Sequence, residues 1–184
     1  MLKDQTLDHY QSQDEITEFD HCTFSNSNFA QLDLRSYEFT DCTFTSCDFS
    51  MALLENTILS QAKFVQCKLL GVDFSKCAKF TFSVSFDSCI LNYCLFFKNN
   101  MKKTSFIGCT IQEGLFNEVN LSQSTFSKCD LTGTSFENNN LEKCDFSTAN
   151  NYQISPVNNK IKKAKFSYPG VLGLLSHFDI IIED

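Results

Sequence analysis

A chain of 184 residues is long enough for one domain with a real core. Its formal charge of −7 argues against a direct nucleic-acid binder, which shows a basic face, and suits a basic partner. Twenty Phe and ten Cys stand beside no Trp, two Pro and six Gly. Turns normally lean on Gly and Pro, so here they are expected from Asn, Ser, Thr and Asp.

Residues 1–16 carry no repeat and are acidic, with Asp4, Asp8, Asp14 and Glu15 against Lys3. They read as an N-terminal tail or cap that frays, its last residues covering the first coil of the chain. MLKDQTLDHYQSQDEI has no apolar h-region, and no run approaches the roughly 18 apolar residues of a membrane span. The expectation is a cytoplasmic protein.

From Phe19 a large apolar residue recurs every fifth position: Phe19, Phe24, Phe29, Leu34, Phe39, Phe44, Phe49, Leu54, Leu59, Phe64, Leu69, Phe74. A period of five is neither the two of a strand nor the 3.6 of a helix. Short fixed periods indicate a solenoid whose coils bury one another. Near 75–85 the frame slips: Phe74 to Phe86 is twelve residues where two repeats need ten, with the apolar residues moving to Phe80, Phe82 and Phe86. A bulge at that corner absorbs the inserted pair.

Phe86 to Phe146 is the cleanest run, alternating Phe with Leu, Ile or Met at every fifth residue. Four sides of five make a square coil of twenty, with Phe on two opposite sides and aliphatics on the others. Such an interior fills without a pore. Asn99 and Asn139 fall at inward positions where a small residue is usual, and their amides are expected to bond turn backbone of neighbouring coils. About seven coils are predicted, roughly 35 Å long at the usual strand spacing.

Beyond Phe146 the pattern weakens through NYQISPVNN, where Asn151 and Pro156 take central places, and returns at Ile161 and Phe166. The repeat domain thus spans 17–166. Residues 167–184 form a cap. Val171, Leu174, Leu175 and Phe178 follow helical spacing with Pro169 near the start, and Ile180, Ile181 and Ile182 read as a terminal strand. A cap this apolar, with Leu172 on its other side, suggests association.

Nine of the ten Cys lie two residues before a repeat's large residue, where Ala, Val, Ser and Thr also occur. They read as small buried core residues rather than a disulfide framework. Cys47, Cys67, Cys89, Cys109 and Cys129 would stack in one column. No CxxC pair occurs, His9, His21 and His177 are scattered, and no phosphate loop appears, so no catalytic, cofactor or metal residues are assigned.

The unit C-D/N-F/L-S-x, as in CDFSM (47–51), CDLTG (129–133) and CDFST (144–148), resembles the pentapeptide-repeat proteins over residues 17 to about 166. The resemblance implies a right-handed quadrilateral β-helix. The ending AKFSYPGVLGLLSHFDIIIE is similar to the capping helix and strand of the quinolone-resistance (Qnr-type) branch. That implies a homodimer paired head to head through Val171, Leu172, Leu174, Leu175, Phe178, Ile180 and Ile182. It also implies a non-catalytic partner of DNA gyrase or topoisomerase IV that imitates duplex DNA. Two features depart from the branch. Only a two-residue slip stands where several members carry long loops, and Arg35, Lys76 and Lys98 dilute the acids.

On the predicted frame one side presents Leu53, Leu95, Phe97 and Leu115 with Asp33, Glu55, Asp73, Glu118 and Glu137, a candidate partner surface. Glu18, Asp20, Glu38 and Asp41 crowd the preceding side; Ile90 and Tyr93 lie on a third. The alternative function is a structural scaffold or interaction module with an unrelated partner.

Overall fold

In the computed structural model, residues 1–11, 16–178, 180, 181 and 183 are described. The chain winds into a column of four walls. Wall 2 is continuous: a nine-stranded parallel sheet runs from Thr6–Asp8 to Lys165–Phe166. Nine rungs make about eight turns, roughly 38 Å at about 4.8 Å per rung. Wall 1 carries a four-stranded sheet in its first half, and wall 4 a three-stranded sheet in its second. Elsewhere isolated parallel bridges such as Asn28↔Asp48 and Asn100↔Asn120 continue the ladder.

The register offset of twenty is the sequence period made physical: Phe24 pairs with Phe44, Phe106 with Phe126 and Phe116 with Phe136. At the slip the offset becomes 22, with Ala62 opposite Val84 and Phe64 opposite Phe86. Ala78 N bonds Thr57 O, and Ser83 N bonds Leu59 O, both backbone contacts to the rung below. The inserted residues therefore leave wall 1 at its fifth rung. Phe82 turns in and Phe80 turns fully out, since a bulge gives its extra residue no inward slot.

The core is a stack of rings. Phe86, Phe106, Phe126 and Phe146 lie in near-parallel pairs on wall 2, centroids 5.2, 4.6 and 4.8 Å apart. Phe96, Phe116 and Phe136 do the same on wall 4 at 4.6 and 5.1 Å. Rings from the two walls meet edge to face at about 6 Å, as between Phe116 and Phe126. Both arrangements suit the aromatic quadrupole, and each buried Phe contributes roughly 2–3 kcal/mol by burial. Leu91, Ile111 and Leu131, and Met101, Leu121 and Leu141, fill the remaining sides with essentially no exposure.

Most corners are built at a left-handed residue two places after the central one; Lys76 and Thr148 hold that place without a positive φ. Asn26, Ser36 and Asp41 fit the expected turn chemistry, but Gln31, Lys98, Tyr93 and Met51 serve equally. No Thr, Val or Ile is among the left-handed residues, because β-branching is poorly tolerated at positive φ. The Asp or Asn of the repeat has a separate task. Asn28, Asp48, Asp73 and Asp145 each accept the backbone N–H two residues on, at about 3 Å, an Asx turn that fixes the side.

The N-terminus departs from the expected frayed tail. Leu2–Lys3 and Thr6–Asp8 are strands, Leu2 opposite Phe19 and Leu7 opposite Phe24. This coil takes 17 residues instead of 20, so counting back in fives from Phe19 misses it, and the coil number rises from seven to about eight. Tyr10 closes the end, its ring against Phe19, Phe24 and Phe29.

At the other end Asn151 is an exposed corner, while Tyr152 and Ile154 are buried in its stead. The expected capping helix is a single 3-10 segment, Pro169–Leu174, with Leu174 against the core. Neither Ile180 nor Ile181 is in a strand; Ile182 lies outside the described residues.

Candidate partner-binding surface

Each side of the column has one inward residue flanked by two outward ones. On wall 4 the first outward column reads Asp33, Leu53, Asp73, Leu95, Leu115 and Ser135, and the second Arg35, Glu55, Ser75, Phe97, Asn117 and Glu137. Bridges and strands lock the register: Asp33 with Leu53, Asp73 with Leu95, then Leu95 with Leu115, and Phe97 with Asn117 with Glu137. Glu118 holds the corner beside them. All nine residues singled out from the sequence therefore share one wall. Leu53 and Leu115 are exposed and Leu95 and Phe97 half-buried.

Between its lower rungs wall 4 is grooved. Met51, Leu53, Glu55, Gly71, Asp73 and Lys76 line about 330 Å³ there. Gly71 has φ +66°, and a Cβ on it would sit 2.5 Å from the Met51 sulfur, so glycine at this corner makes room for the methionine.

The acids of this wall are held by near neighbours. Asp33 accepts from Arg35 at both oxygens, 2.8 Å from Nε and 2.6 Å from Nη2. The guanidinium brings its carboxyl down to about 2. Glu118 lies 3.5 Å from the Lys98 ammonium, which also sits 4.7 Å above the Phe97 ring. Glu137 accepts from Asn158 at 3.2 Å. Asp73 is engaged by the backbone and hydroxyl of Ser75. Lys79 reaches in from the slip to donate to the Phe97 carbonyl, and burial lowers its pKa. The wall is a patched surface of apolar groups and acids, of which Asp33 and Glu118 are compensated by Arg35 and Lys98. Ile90 and Tyr93 are exposed on the neighbouring wall 3.

The cysteines face inward. Cys47, Cys67, Cys89, Cys109 and Cys129 stack on one wall, all free and buried, their thiols donating to carbonyls such as Phe44 O and Phe64 O. His21 and Cys22 part company: the thiol turns in toward Leu2 O, while the imidazole meets Asp20 at 2.5 Å. Asp20, His21 and Asp41 could together approach a cation, but Lys3 already neutralises Asp20 at 2.8 Å. His9 and His177 lie toward opposite ends of the column. No helix among the described residues is long and apolar enough to cross a membrane.

In the cap, Val171, Leu172, Phe178 and Ile180 are exposed and Leu174 and Leu175 half-buried. The segment docks on Tyr152, with Ile154 N bonding Gly173 O at 3.1 Å. The buried amides include one that counting in fives does not single out, Asn159. It stands twenty residues after Asn139, a signal masked by the irregular coil around it.

The family model described as Pentapeptide repeats matches eight copies, over residues 17–61, 38–75 and 115–150, together just over half of the chain. No curated protein sequence matches. Among solved structures, a trypsin-treated variant of QnrB1, a plasmid-mediated fluoroquinolone resistance protein, is 22% identical. That match covers 99% of this chain and 97% of that one with a TM-score of 0.46. HetL, a pentapeptide repeat protein involved in heterocyst differentiation regulation in the cyanobacterium Nostoc sp. strain PCC 7120, is 15% identical. It covers 90% and 82% with a TM-score of 0.41. A pentapeptide repeat protein of the Arabidopsis thaliana thylakoid lumen is 24% identical over 64% and 66%, with a TM-score of 0.29. With its eight matched repeats and its four-walled parallel column, this chain belongs to the pentapeptide-repeat family.

Proposed function

We propose that this is a non-catalytic, cytoplasmic binding protein that presents wall 4 to a protein partner. The observation carrying this reading is the group of Leu95, Leu115 and Phe97, with Leu53 two rungs below, outward on a wall where Asp33 and Glu118 are ion-paired. Apolar groups ringed by compensated charge suit a protein interface. The column interior is filled by side chains, which leaves the walls rather than a cavity to meet a ligand.

The named candidate partner is a type II topoisomerase, DNA gyrase or topoisomerase IV, met as a duplex-DNA mimic. Support comes from the rod, the net charge and the resemblance of the C-terminal segment to the Qnr-type branch. The same resemblance motivates pairing of two chains through the cap. Supercoiling by gyrase with added protein, with and without a fluoroquinolone, tests it; no effect at micromolar protein rejects it. The second reading, a scaffold for an unrelated partner, is favoured by the pairing of Asp33 with Arg35 and Glu118 with Lys98, which breaks a continuous negative track. Pull-down with Leu95→Asp and Leu115→Asp tests that reading, and retention of the partner by the variant counts against it.

A further inference from the structure

Wall 1 separates its charges along the column. Asp4, Glu18, Asp20, Glu38 and Asp41 occupy its first three rungs, with Lys3 between them. Lys102 and Lys103 stand on the sixth rung, Lys143 on the eighth, and Lys160, Lys162 and Lys163 on the ninth, with Glu142 among them. All six lysines are exposed, and among the described residues none has an ion-pair partner. The fifth rung lies midway between the two blocks. It is the rung of the inserted pair, where Phe80 projects with its whole surface in water.

We infer that two copies of this chain pair side by side and antiparallel through wall 1, with Phe80 of each at the two-fold axis. A two-fold through the fifth rung sets rung one against rung nine and rung two against rung eight. Asp4 then faces the lysines at 160–163 of the second copy, and Glu18 faces its Lys143, Asp20 being paired with Lys3 within its own chain. Glu38 and Asp41 fall between the levels of Lys143 and Lys102. The match is made twice, as an isologous interface requires, and the inserted phenylalanines meet where neither charge block reaches. A polyanion fits less well: it gains from the lysines but is repelled by the acidic half of the same wall. The cap residues stay free at the two outer ends, so this contact is independent of pairing through the cap.

Sedimentation equilibrium tests the inference, with circular dichroism confirming that each variant folds. Raising salt from about 0.1 M to about 1 M shortens the screening length from about 10 to about 3 Å, and the dimer dissociation constant is expected to weaken at least about tenfold. Lys160→Glu/Lys162→Glu/Lys163→Glu is expected to be monomeric. Adding Asp4→Lys to it restores the dimer, because the first rung, with Lys3, then offers only lysines to the three glutamates of the ninth. Phe80→Cys, the one exposed thiol in a chain whose native cysteines are all buried, forms a covalent dimer under mild oxidation. Three results overturn the inference: a monomer at low salt, a dimer untouched by lysine reversal but lost with Leu172→Asp, or lysine-dependent retention on heparin without dimerisation.

Discussion

The side-chain amide of Asn139 donates to the carbonyl of Phe116, one coil below, at 2.9 Å. Its oxygen accepts from Val119 N at 2.8 Å, while Asn159 repeats the arrangement on Phe136 O. Asn99 does so on Phe74 O. These amides peg successive coils together along one corner of the column. Asn139→Ala leaves buried backbone groups without partners and is expected to cost about 1–3 kcal/mol. A melting temperature unchanged from the parent would show the pegs to be idle.

Phe80 and Phe82 stand two residues apart with opposite fates. Phe116→Ala, in the middle of a ring stack, should lose about 3–5 kcal/mol, and Phe82→Ala should destabilise in the same direction. Phe80→Ala should stay within about 0.5 kcal/mol when measured at high salt. Urea titrations of the three variants check the ordering.

Two glycines predict different penalties. A Cβ at Gly173 would lie 2.1 Å from the Tyr152 carbonyl oxygen, a backbone atom that cannot step aside, so Gly173→Ala should undock the cap and open it to chymotrypsin. At Gly133 the Cβ meets the flexible end of Glu113. The remaining cost of Gly133→Ala is the positive φ, about 1–2 kcal/mol, with the cap still protected.

Asp130 accepts from the Thr132 hydroxyl at 2.7 Å, from Asn151 at 2.9 Å and from Gln112 at 2.7 Å. These bonds lower its pKa from 3.8 to about 2. A depressed carboxyl stabilises the fold at pH values above its ordinary pKa, and that contribution fades as pH falls from about 3.8 through about 2. An NMR titration should place the carboxyl midpoint near 2, and Asn151→Ala should move it upward.

Burial drives the thiols of Cys42, Cys77 and Cys144 up to about 12, so at pH 8 they remain protonated and out of reach. The folded protein should resist a thiol reagent such as DTNB and the unfolded chain should react at all ten cysteines. Rapid reaction of native thiols would mean that the column breathes open along its cysteine wall.

The column itself was readable because every fifth side chain has no place to go but inward. Phe86, Phe106, Phe126 and Phe146 could be assigned to one wall by counting. The same counting put Leu53, Leu95 and Leu115 on wall 4. It failed at Leu2 and Leu7, where a shortened coil shifts the frame by three. Asn159 was hidden for a related reason: local irregularity breaks the count while the coil below still holds the position.

Sequence alone determined the period, and with it the four sides, the alternation of ring and aliphatic walls and the burial of the cysteines, since each depends only on the distance between like residues along the chain. Only the tertiary structure decided what the outward side chains do and where the first coil stacks: that Asp33 is tied to Arg35, that the inserted pair throws Phe80 out of wall 1, and that the shortened first coil brings Asp4 onto the face whose far end carries the lysines. Those facts depend on the stacking of whole coils, where a two- or three-residue change in one turn resets what every later residue meets.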